Sequence, residues 1–489
     1  MTPVRYGTAA GRWVLFTTIV GSGIAMLDGT VVNVALPAIG RDLGASVAGL
    51  QWVITGYLIT LSALILLGGS LGDLFGRRRV YVVGVIWFSV ASLLSGVSVN
   101  LGMLIAARAL QGIGGALLVP GSLALIEASF APEDRSRAIG AWSGLGGIAT
   151  AIGPFVGGYL VSAVSWRLIF LLNLPLAAAV LFAVRHVPES TDPTTDRHVD
   201  LLGAGLGMVG LASGTYALIE GPSHGTSLTV VLAAAVIGVA GLVGFVLVER
   251  SSAHPMLPVD IFRSRQFTAA NLVTFAVYAA LGGALFLLAV DLQQVLHYSP
   301  VSAGASLFPI TVIMLLLSAR AGALAQRIGP RLPMSAGPVV VAIGLLLMLR
   351  ISPGSRYVPD VLPAVIVFGL GLAATVAPLT STVLAAADER HAGVASGVNN
   401  AVARTASLVA VAVLPALAGL SGEDYRNPAK FSVGFHTALI ISAGVTLAGA
   451  AIAAIGIRNQ READRRRPQP PVASSCPLDG PPLRHEPAA

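Results

Sequence analysis

The sequence predicts an all-α integral membrane protein, a bundle of fourteen transmembrane helices, and three observations support this fold class. Hydrophobic residues make up 55% of the 489 residues and charged residues only 11%, whereas soluble domains carry about 25% charged residues. The deficit of charge extends along nearly the whole chain. It takes the form of repeated apolar runs of roughly 20 residues, the length that crosses a bilayer as a helix.

Fourteen apolar runs follow one another with short connections. They lie at about 12–37, 49–68, 80–99, 101–126, 137–161, 166–184, 201–219, 228–248, 267–290, 303–326, 333–349, 361–387, 393–418 and 433–457. The first run is too long for a signal-peptide core and lacks a small-residue cleavage site, so we interpret it as the first span. The Pro-rich, charged segment 458–489 predicts a disordered tail.

The distribution of basic residues predicts the orientation. If the N-terminus is cytoplasmic, 21 of the 30 Lys and Arg residues lie on the inner side and six on the outer side, while Arg108, Arg320 and Arg404 lie within spans. Inner loops of membrane proteins carry this excess of positive charge. We therefore expect a multi-pass plasma-membrane protein with both termini in the cytoplasm. The same distribution explains the net charge of +7 without a nucleic-acid partner.

An internal repeat divides the chain. The segment after span 2 reads GSLGDLFGRR over 69–78, and the segment after span 10 reads GALAQRIGPR over 322–331. Gly, Leu, Gly and Arg recur at the same spacing, and each copy closes the second helix of a six-span block. The predicted domains are an N-terminal six-helix bundle (1–190), two linker transmembrane helices (191–262), a C-terminal six-helix bundle (263–457) and the cytoplasmic tail (458–489). Duplicated bundles usually bind substrate between the repeats near the bilayer midplane.

Several motifs resemble the major facilitator superfamily, specifically its 14-span drug:proton antiporters, over about 12–457. Besides 69–78, they are LDGTVVNVALP over 27–37, RALQG over 108–112, GPFVGG over 153–158, WRLIFLLNLP over 166–175 and LQQVLHYSPVSAG over 292–304. The resemblance implies the major facilitator fold, with two six-helix bundles plus two inserted helices. It also implies proton-coupled efflux of small amphipathic drugs or antibiotics, with no cofactor.

Asp28 and Arg108 are the candidates for proton coupling. Asp28 lies well inside span 1, where a charged side chain is costly and marks a functional site by default. Arg108 lies in span 4, and a buried guanidinium needs partners such as Gln111 or Asp28. The resemblance implies that Arg108 helps to control protonation. The alternative for each is a structural role in which it fixes helix packing through polar contacts.

The loop between spans 2 and 3 is the candidate for a conformational latch. Asp73, Gly76, Arg77 and Arg78 belong to it, and Glu127 at the inner end of span 4 is a plausible partner. Such a loop can bind neighbouring helices through charges and helix-end dipoles in one access state and release them in the other. The alternative is that these arginines only set the topology.

Span 5 carries a candidate hinge or seal in Gly153, Pro154, Gly157 and Gly158. Small residues let helices approach closely in lipid, and proline can kink a helix because it lacks an N–H. The resemblance associates this motif with antiport. The alternative is ordinary small-residue packing.

Weaker candidates would contact the substrate in a central cavity. They are Asn33, Tyr57, Gln111 and Arg404. Asp291 and Glu220 could also meet a cationic substrate, but their positions at helix ends favour solvated carboxylates.

Other function classes lack the motifs they require. The sequence contains no GxxxxGK[ST] loop, no HExxH motif and no Cys/His metal spacing, which argues against a nucleotide-driven motor and a metal site. GxSxG occurs at 68–72 and 221–225, at the ends of apolar runs and without the strand-to-helix context of a nucleophile, so no catalytic set stands out. The expected partners are a drug or antibiotic substrate, protons and membrane lipids, and we expect a monomer. A proton-coupled nutrient symporter is the first alternative, and a membrane sensor or scaffold without transport is the second.

Overall fold

The computed structural model describes residues 4–191, 199–222, 226–252, 255–386, 392–422, 424 and 427–459. Long α-helices account for most of these residues and coincide with the predicted apolar runs. Strand-type pairing within these ranges is limited to an isolated bridge between Val4 and Phe130. The predicted tail lies outside the described residues from 460 onward.

Fourteen long helices, α1 to α14, make up the fold in the described part of the chain. Their bounds are Ala9–Leu43, Val47–Phe75, Arg77–Gly96, Leu101–Ser129, Pro132–Ala163, Leu168–His186, Leu201–Glu220, Leu228–Ser251, Arg265–Gln294, Pro300–Ile328, Arg331–Arg350, Tyr357–Ala385, Ala392–Leu417 and Pro428–Gly456. Thirteen of them are long and apolar enough to span a membrane. The remaining helix, α5, has 32 residues and includes the apolar stretch Ile152–Ala163. The predicted fold class is confirmed.

Short polar residues begin several of these helices. The side chains of Ser46, Asn100 and Ser299 each accept a hydrogen bond from a backbone N–H in the first turn of the helix that follows. A helix start leaves its first N–H groups without partners inside the helix, and such a cap contributes about 1 kcal/mol. Gly44 ends α1 in the left-handed conformation, with φ 64°, which glycine adopts without a steric penalty.

Two helices are interrupted where the sequence predicted continuous runs. Helix α6 breaks at Leu172, and α10 breaks at Leu307. Pro175 and Pro309 follow the breaks within three residues, and neither has an N–H to bond the carbonyl four residues earlier. The breaks therefore follow from proline chemistry, which apolar periodicity does not register.

The helices form two similar six-helix bundles, α1–α6 and α9–α14. Helix α4 packs against α2 and α3 as α12 packs against α10 and α11, and α1 packs against α5 as α9 packs against α13. The bundles meet through the equivalent pairs α2–α13 and α10–α5, and also through α1–α9. The inserted helices α7 and α8 pack against each other, and α7 also lies against α2 and α13. The exact domain limits given above remain a prediction.

The hydrogen bonds between the bundles lie at one end of the molecule, the end at which α1 is joined to α2. The amide of Gln51 donates to the carbonyls of Val411 and Ala412 at 2.7 and 3.0 Å. The amide of Gln293 donates to the carbonyl of Val34 at 2.9 Å. Between described residues, no side-chain hydrogen bond joins the two bundles at the opposite end, where α2 is joined to α3. We refer to these as the α1–α2 end and the α2–α3 end.

Candidate functional site

Asp28 forms a fully buried ion pair with Arg108 in the N-terminal bundle. Both residues are only 1% exposed, and the guanidinium Nη1 lies 2.5 Å from the carboxylate Oδ2. Asp28 lies about 15 residues before the end of α1, which places it roughly 22 Å from the α1–α2 end at 1.5 Å per residue. Gln111 lies one helical turn beyond Arg108 on α4, and its amide donates to Asp28 Oδ1 at 2.9 Å.

Two further polar side chains complete this buried network. The amide of Asn173 on α6 donates to Asp28 Oδ1 at 3.3 Å and to the hydroxyl of Ser92 at 2.9 Å. Ser92 on α3 also accepts from the Gln111 amide and donates to the carbonyl of Phe170. Side chains from α4 and α6 therefore meet at the carboxylate of Asp28 on α1, and Ser92 on α3 accepts hydrogen bonds from two of them. We call Asp28, Arg108, Gln111, Asn173 and Ser92 the Asp28 network.

The guanidinium of Arg108 has partners on several sides. Its Nε donates to the carbonyl of Val53 at 3.2 Å, and its Nη1 donates to Gln111 Oε1 at 2.7 Å. The ring of Tyr57 lies 4.4 Å from the guanidinium carbon, within the range of a cation–π contact. A buried ion pair persists only when additional hydrogen bonds satisfy the remaining donors and acceptors. Both charges of the pair have such additional hydrogen bonds, and within the Asp28 network the buried Asn173 Oδ1 is the atom without a partner.

The other cavity candidates lie on helices between the bundles. Asn33 is half-buried on α1 and donates to the carbonyl of Gly29 at 3.4 Å. Tyr57 on α2 is 2% exposed. Arg404 is half-buried on α13, the helix of the C-terminal bundle that packs against α2.

The residues of the candidate latch bind the segment that follows α6. Arg77 pairs with Asp73 at 2.8 Å within the loop. The backbone N–H of Arg78 donates to Glu189 Oε1 at 3.0 Å, and its guanidinium donates to the carbonyl of Val187 at 2.9 Å. Glu127 has no ion pair with a described residue in this conformation, although the charge of Arg77 acts on it.

The C-terminal bundle repeats this arrangement with a neutral partner. The N–H of Arg331 donates to Asn459 Oδ1 at 3.2 Å, as the N–H of Arg78 does to Glu189. Gly76 and Gly329 precede these arginines by two residues and have φ values of 105° and 92°, a region that other residues rarely adopt. A Cβ on Gly76 would also lie 2.8 Å from Glu189 Oε1. The structure therefore confirms the internal repeat and explains why glycine occupies both positions.

The small residues of α5 allow two close helix contacts. A Cβ on Gly157 would lie 2.7 Å from a methyl of Val31 on α1, and one on Gly153 would overlap the hydroxyl of Thr30. On the opposite side, a Cβ on Gly158 would overlap the carbonyl oxygen of Pro300 on α10. Pro154 faces the same junction, because a Cβ on Gly304 would overlap its carbonyl oxygen. Thus α5 joins α1 within its own bundle and α10 across the interface. Whether it acts as a hinge remains a prediction.

The comparisons with known proteins agree with this architecture. A family model described as Major Facilitator Superfamily matches residues 18–411. The chain belongs to the major facilitator superfamily. Solved structures of this superfamily's fold include a POT family transporter in complex with a thioalcohol conjugated peptide, with a TM-score of 0.69 and 13% identity over 91% of this chain and 96% of that one. A bacterial homolog to the human lysosomal transporter Spinster gives a TM-score of 0.64 and 14% identity over 92% and 97%.

Relatives of this superfamily member include antibiotic resistance proteins. It is 37% identical over 423 residues to the methylenomycin A resistance protein of Bacillus subtilis (strain 168), covering 86% of this chain and 90% of that protein. It is 35% identical over 467 residues to the puromycin resistance protein pur8 of Streptomyces alboniger, covering 92% of each. These relatives indicate a multi-pass membrane transporter rather than an enzyme.

Sequence reasoning about this superfamily member missed three polar residues of the candidate sites. Asn173 lies inside the quoted sixth-span motif but had no assigned role, and Ser92 and Glu189 carried no signal. Hydroxyl and amide groups are common in helices, and their importance depends on which helix faces them. Glu189 contacts the latch because the chain, after leaving α6, passes next to the loop that follows span 2. The sequence does not show that these two segments are neighbours.

Two helix-end carboxylates differ from their prediction as solvated groups. Asp291 on α9 is 1% exposed, and neither carboxylate oxygen has a hydrogen-bond partner. Glu220 at the end of α7 accepts a hydrogen bond from the indole of Trp52 at 2.9 Å. Both helices end close to where the sequence predicted, but neighbouring helices cover these ends, because α9 packs against α1 and α7 packs against α2.

Proposed function

We propose that this protein exports small amphipathic drugs or antibiotics across the plasma membrane in exchange for protons, by alternating access between the two bundles. The observation that carries the proposal is the buried Asp28 network, built from four helices near the middle of a transporter fold. The names of the relatives support drugs and antibiotics as the substrate class. Membrane lipids surround the protein, and we expect a monomer that binds no nucleic acid.

The Asp28–Arg108 pair supports proton coupling. A proton arriving at Asp28 would leave Arg108 buried without its counterion, which is costly in a site shielded from water. Protonation is therefore linked to a rearrangement of α1 and α4. Each proton that moves inward supplies roughly 2.3 kcal/mol per 100 mV, and about 1.4 kcal/mol corresponds to a tenfold concentration ratio. One proton per cycle can thus sustain a substantial gradient of a neutral drug.

The positions of the contacts between bundles support one access state. The inter-bundle hydrogen bonds lie at the α1–α2 end, which the distribution of basic residues assigns to the outside. We therefore infer an inward-facing conformation with N- and C-termini in the cytoplasm. In this interpretation Asp73, Gly76, Arg77 and Arg78 form a cytoplasmic latch that changes partners during the cycle. Glu189 is their partner in this state, and Glu127 becomes available in the other state.

Resistance measurements test the proposal. The chain is expressed in an efflux-deficient bacterium and challenged with a panel of antibiotics and dyes, with and without a protonophore. We expect resistance to at least one compound, abolished by the protonophore and by Asp28→Asn at equal membrane abundance. Asp42→Asn is the matched control, because Asp42 pairs with Arg167 outside the Asp28 network, at the α1–α2 end. Resistance that survives the protonophore, or that Asp28→Asn retains in full, contradicts proton exchange at this site.

A further inference from the structure

Arg404 lies on the face of α13 that is turned toward the N-terminal bundle. At one end of this face is Gly397, where an added Cβ would lie 3.0 Å from Leu66 on α2. At the other end is Leu408, which is fully buried in the same hydrophobic cluster as Tyr57. Arg404 lies between these two contacts, about 13 residues or roughly 20 Å from the end of α13 at the α1–α2 end. The backbone of Arg404 is therefore at about the depth of Asp28, on the helix face between the bundles.

The guanidinium of Arg404 is unpartnered in the described part of the chain. No hydrogen bond, ion pair or cation–π contact joins it to a described residue, in contrast to Arg108, which has partners on several sides. Two tyrosines lie on the neighbouring helices: Ser407, one turn beyond Arg404, donates to the carbonyl of Tyr278 on α9 at 3.2 Å, and Tyr57 on α2 belongs to the same hydrophobic cluster as Leu408. Arginines inside a membrane protein face partners or a water-filled cavity, because burial of the bare charge is costly. A half-buried guanidinium without a partner is available to a ligand.

The balance of charge between the bundles favours an anion. Asp28 and Arg108 neutralise each other, so Arg404 contributes an uncompensated positive charge at the same depth. Tyr57 and Tyr278 each carry an O–H that can donate to an anionic oxygen. Guanidinium groups bind carboxylates through two parallel hydrogen bonds and are preferred for this purpose. These groups suit an acidic oxygen and would repel a cationic nitrogen.

We propose that Arg404, together with the hydroxyls of Tyr57 and Tyr278, forms an anion-binding subsite for a carboxylate or phenolate of the exported compound. The subsite rests on the proposed function, because it assigns the substrate class of the same central cavity. It narrows the expected substrate from small amphipathic drugs in general to an amphipathic acid. An arginine with a purely structural role would instead have partners within the protein, as Arg108 does.

Binding of a matched probe pair tests the subsite. Purified full-length protein in lipid nanodiscs is titrated at neutral pH with 9-anthracenecarboxylate and with 9-anthracenecarboxamide, which differ only in the charged group. We expect wild type to bind the carboxylate at least tenfold more tightly, equivalent to about 1.4 kcal/mol. In Arg404→Gln the ratio of the two affinities should fall to about one, and Arg404→Lys should keep an intermediate ratio because the charge remains. Tyr278→Phe should lower the ratio a few fold.

The control is Arg320→Gln, which removes an arginine that is exposed on α10 and has no hydrogen bond or ion pair with a described residue. We expect it to keep the wild-type ratio. Thermal unfolding of each variant identifies any general loss of folding, and Arg404→Lys remains informative if Arg404→Gln is unstable. Equal affinity of wild type for both probes, or an unchanged ratio in Arg404→Gln, overturns the subsite.

The outcome is separable from that of the proposed function. Carboxylate preference without protonophore-sensitive resistance to any compound would contradict drug export but support the subsite. Protonophore-sensitive resistance without a preference for the carboxylate would support export and contradict the subsite.

Discussion

At the scale of single residues, the contrast between Asp28 and Asp291 separates two kinds of buried carboxylate. Both are 1% exposed. Asp28 accepts hydrogen bonds from Arg108, Gln111 and Asn173, whereas the carboxylate oxygens of Asp291 have no partner. Removal of one partner from a buried ion pair leaves an uncompensated charge and typically costs about 3–5 kcal/mol. An unpartnered carboxylate has no such pair to lose.

This contrast predicts opposite effects of two isosteric substitutions on stability. Asp28→Asn should lower the thermal midpoint of the purified protein clearly, because Arg108 loses its counterion. Asp291→Asn should leave the midpoint unchanged or raise it, because it removes a charge that nothing compensates. Thermal unfolding in detergent measures both, and each variant serves as the control for the other. A loss of stability in Asp291→Asn as large as that in Asp28→Asn would mean that Asp291 has a stabilising partner.

The sequence predicted three members of the Asp28 network but missed Ser92 and Asn173. Asp28, Arg108 and Gln111 could be identified because ionisable or motif residues are rare within apolar runs. Ser92 and Asn173 could not, because a hydroxyl or amide on a transmembrane helix is ordinary until packing brings it to a charge. Asp28 was one of several partners expected for Arg108, and the structure shows that these two residues form an ion pair.

At the scale of elements, the junction of α5 with α10 is the contact most sensitive to side-chain size. Gly158 lies against the backbone of Pro300, and Gly304 lies against the backbone of Pro154. Backbone atoms cannot move aside as flexible side chains can, and insertion of extra volume into a packed contact typically costs about 1–3 kcal/mol. This junction belongs to the α1–α2 end, so extra volume should oppose closure of that end.

Gly158→Val should therefore shift the protein toward a state open at the α1–α2 end and lower efflux about tenfold or more. Accessibility can be followed in a Cys476→Ser background with Ala303→Cys, because Ala303 is buried at this junction. A membrane-impermeant maleimide added outside should label the cysteine faster in Gly158→Val. Gly140→Val is the matched control, since a Cβ on Gly140 would meet nothing within 4 Å. Equal labelling and efflux in the two variants would refute a role of this junction in closure.

Element positions were more predictable than element breaks. All fourteen spans were predicted from apolar run length, because a run that crosses the bilayer must satisfy its own backbone hydrogen bonds. Helix α1 extends to Leu43, beyond the predicted limit near Pro37, because its polar end continues to Gly44. The interruptions at Leu172 and Leu307 depend on single prolines and on local packing, so a window average does not detect them.

At the scale of the whole molecule, the two bundles resemble each other in sequence and in helix packing. They also share the hydrogen bond made by the arginine that follows the second helix of each bundle, Arg78 or Arg331. When each helix of one bundle is matched with its equivalent in the other, the contact α2–α13 becomes the contact α10–α5. This symmetry is expected for duplicated halves that rock about a central site. The inserted helix α7 lies against both α2 and α13, and its Glu220 accepts a hydrogen bond from the indole of Trp52 on α2. No sequence pattern predicted this position, because apolar helices without charges carry no information about their neighbours.

Proton movement coupled to drug movement is the most direct test of the central claim. Proteoliposomes with an acidic interior and the pH dye pyranine inside are placed in neutral buffer, and a compound to which the protein confers resistance is added outside. Wild type should accumulate the compound while the internal pH rises, and Asp28→Asn should show neither change. Accumulation without a rise in internal pH, or equal proton movement in Asp28→Asn, would contradict exchange through the buried carboxylate.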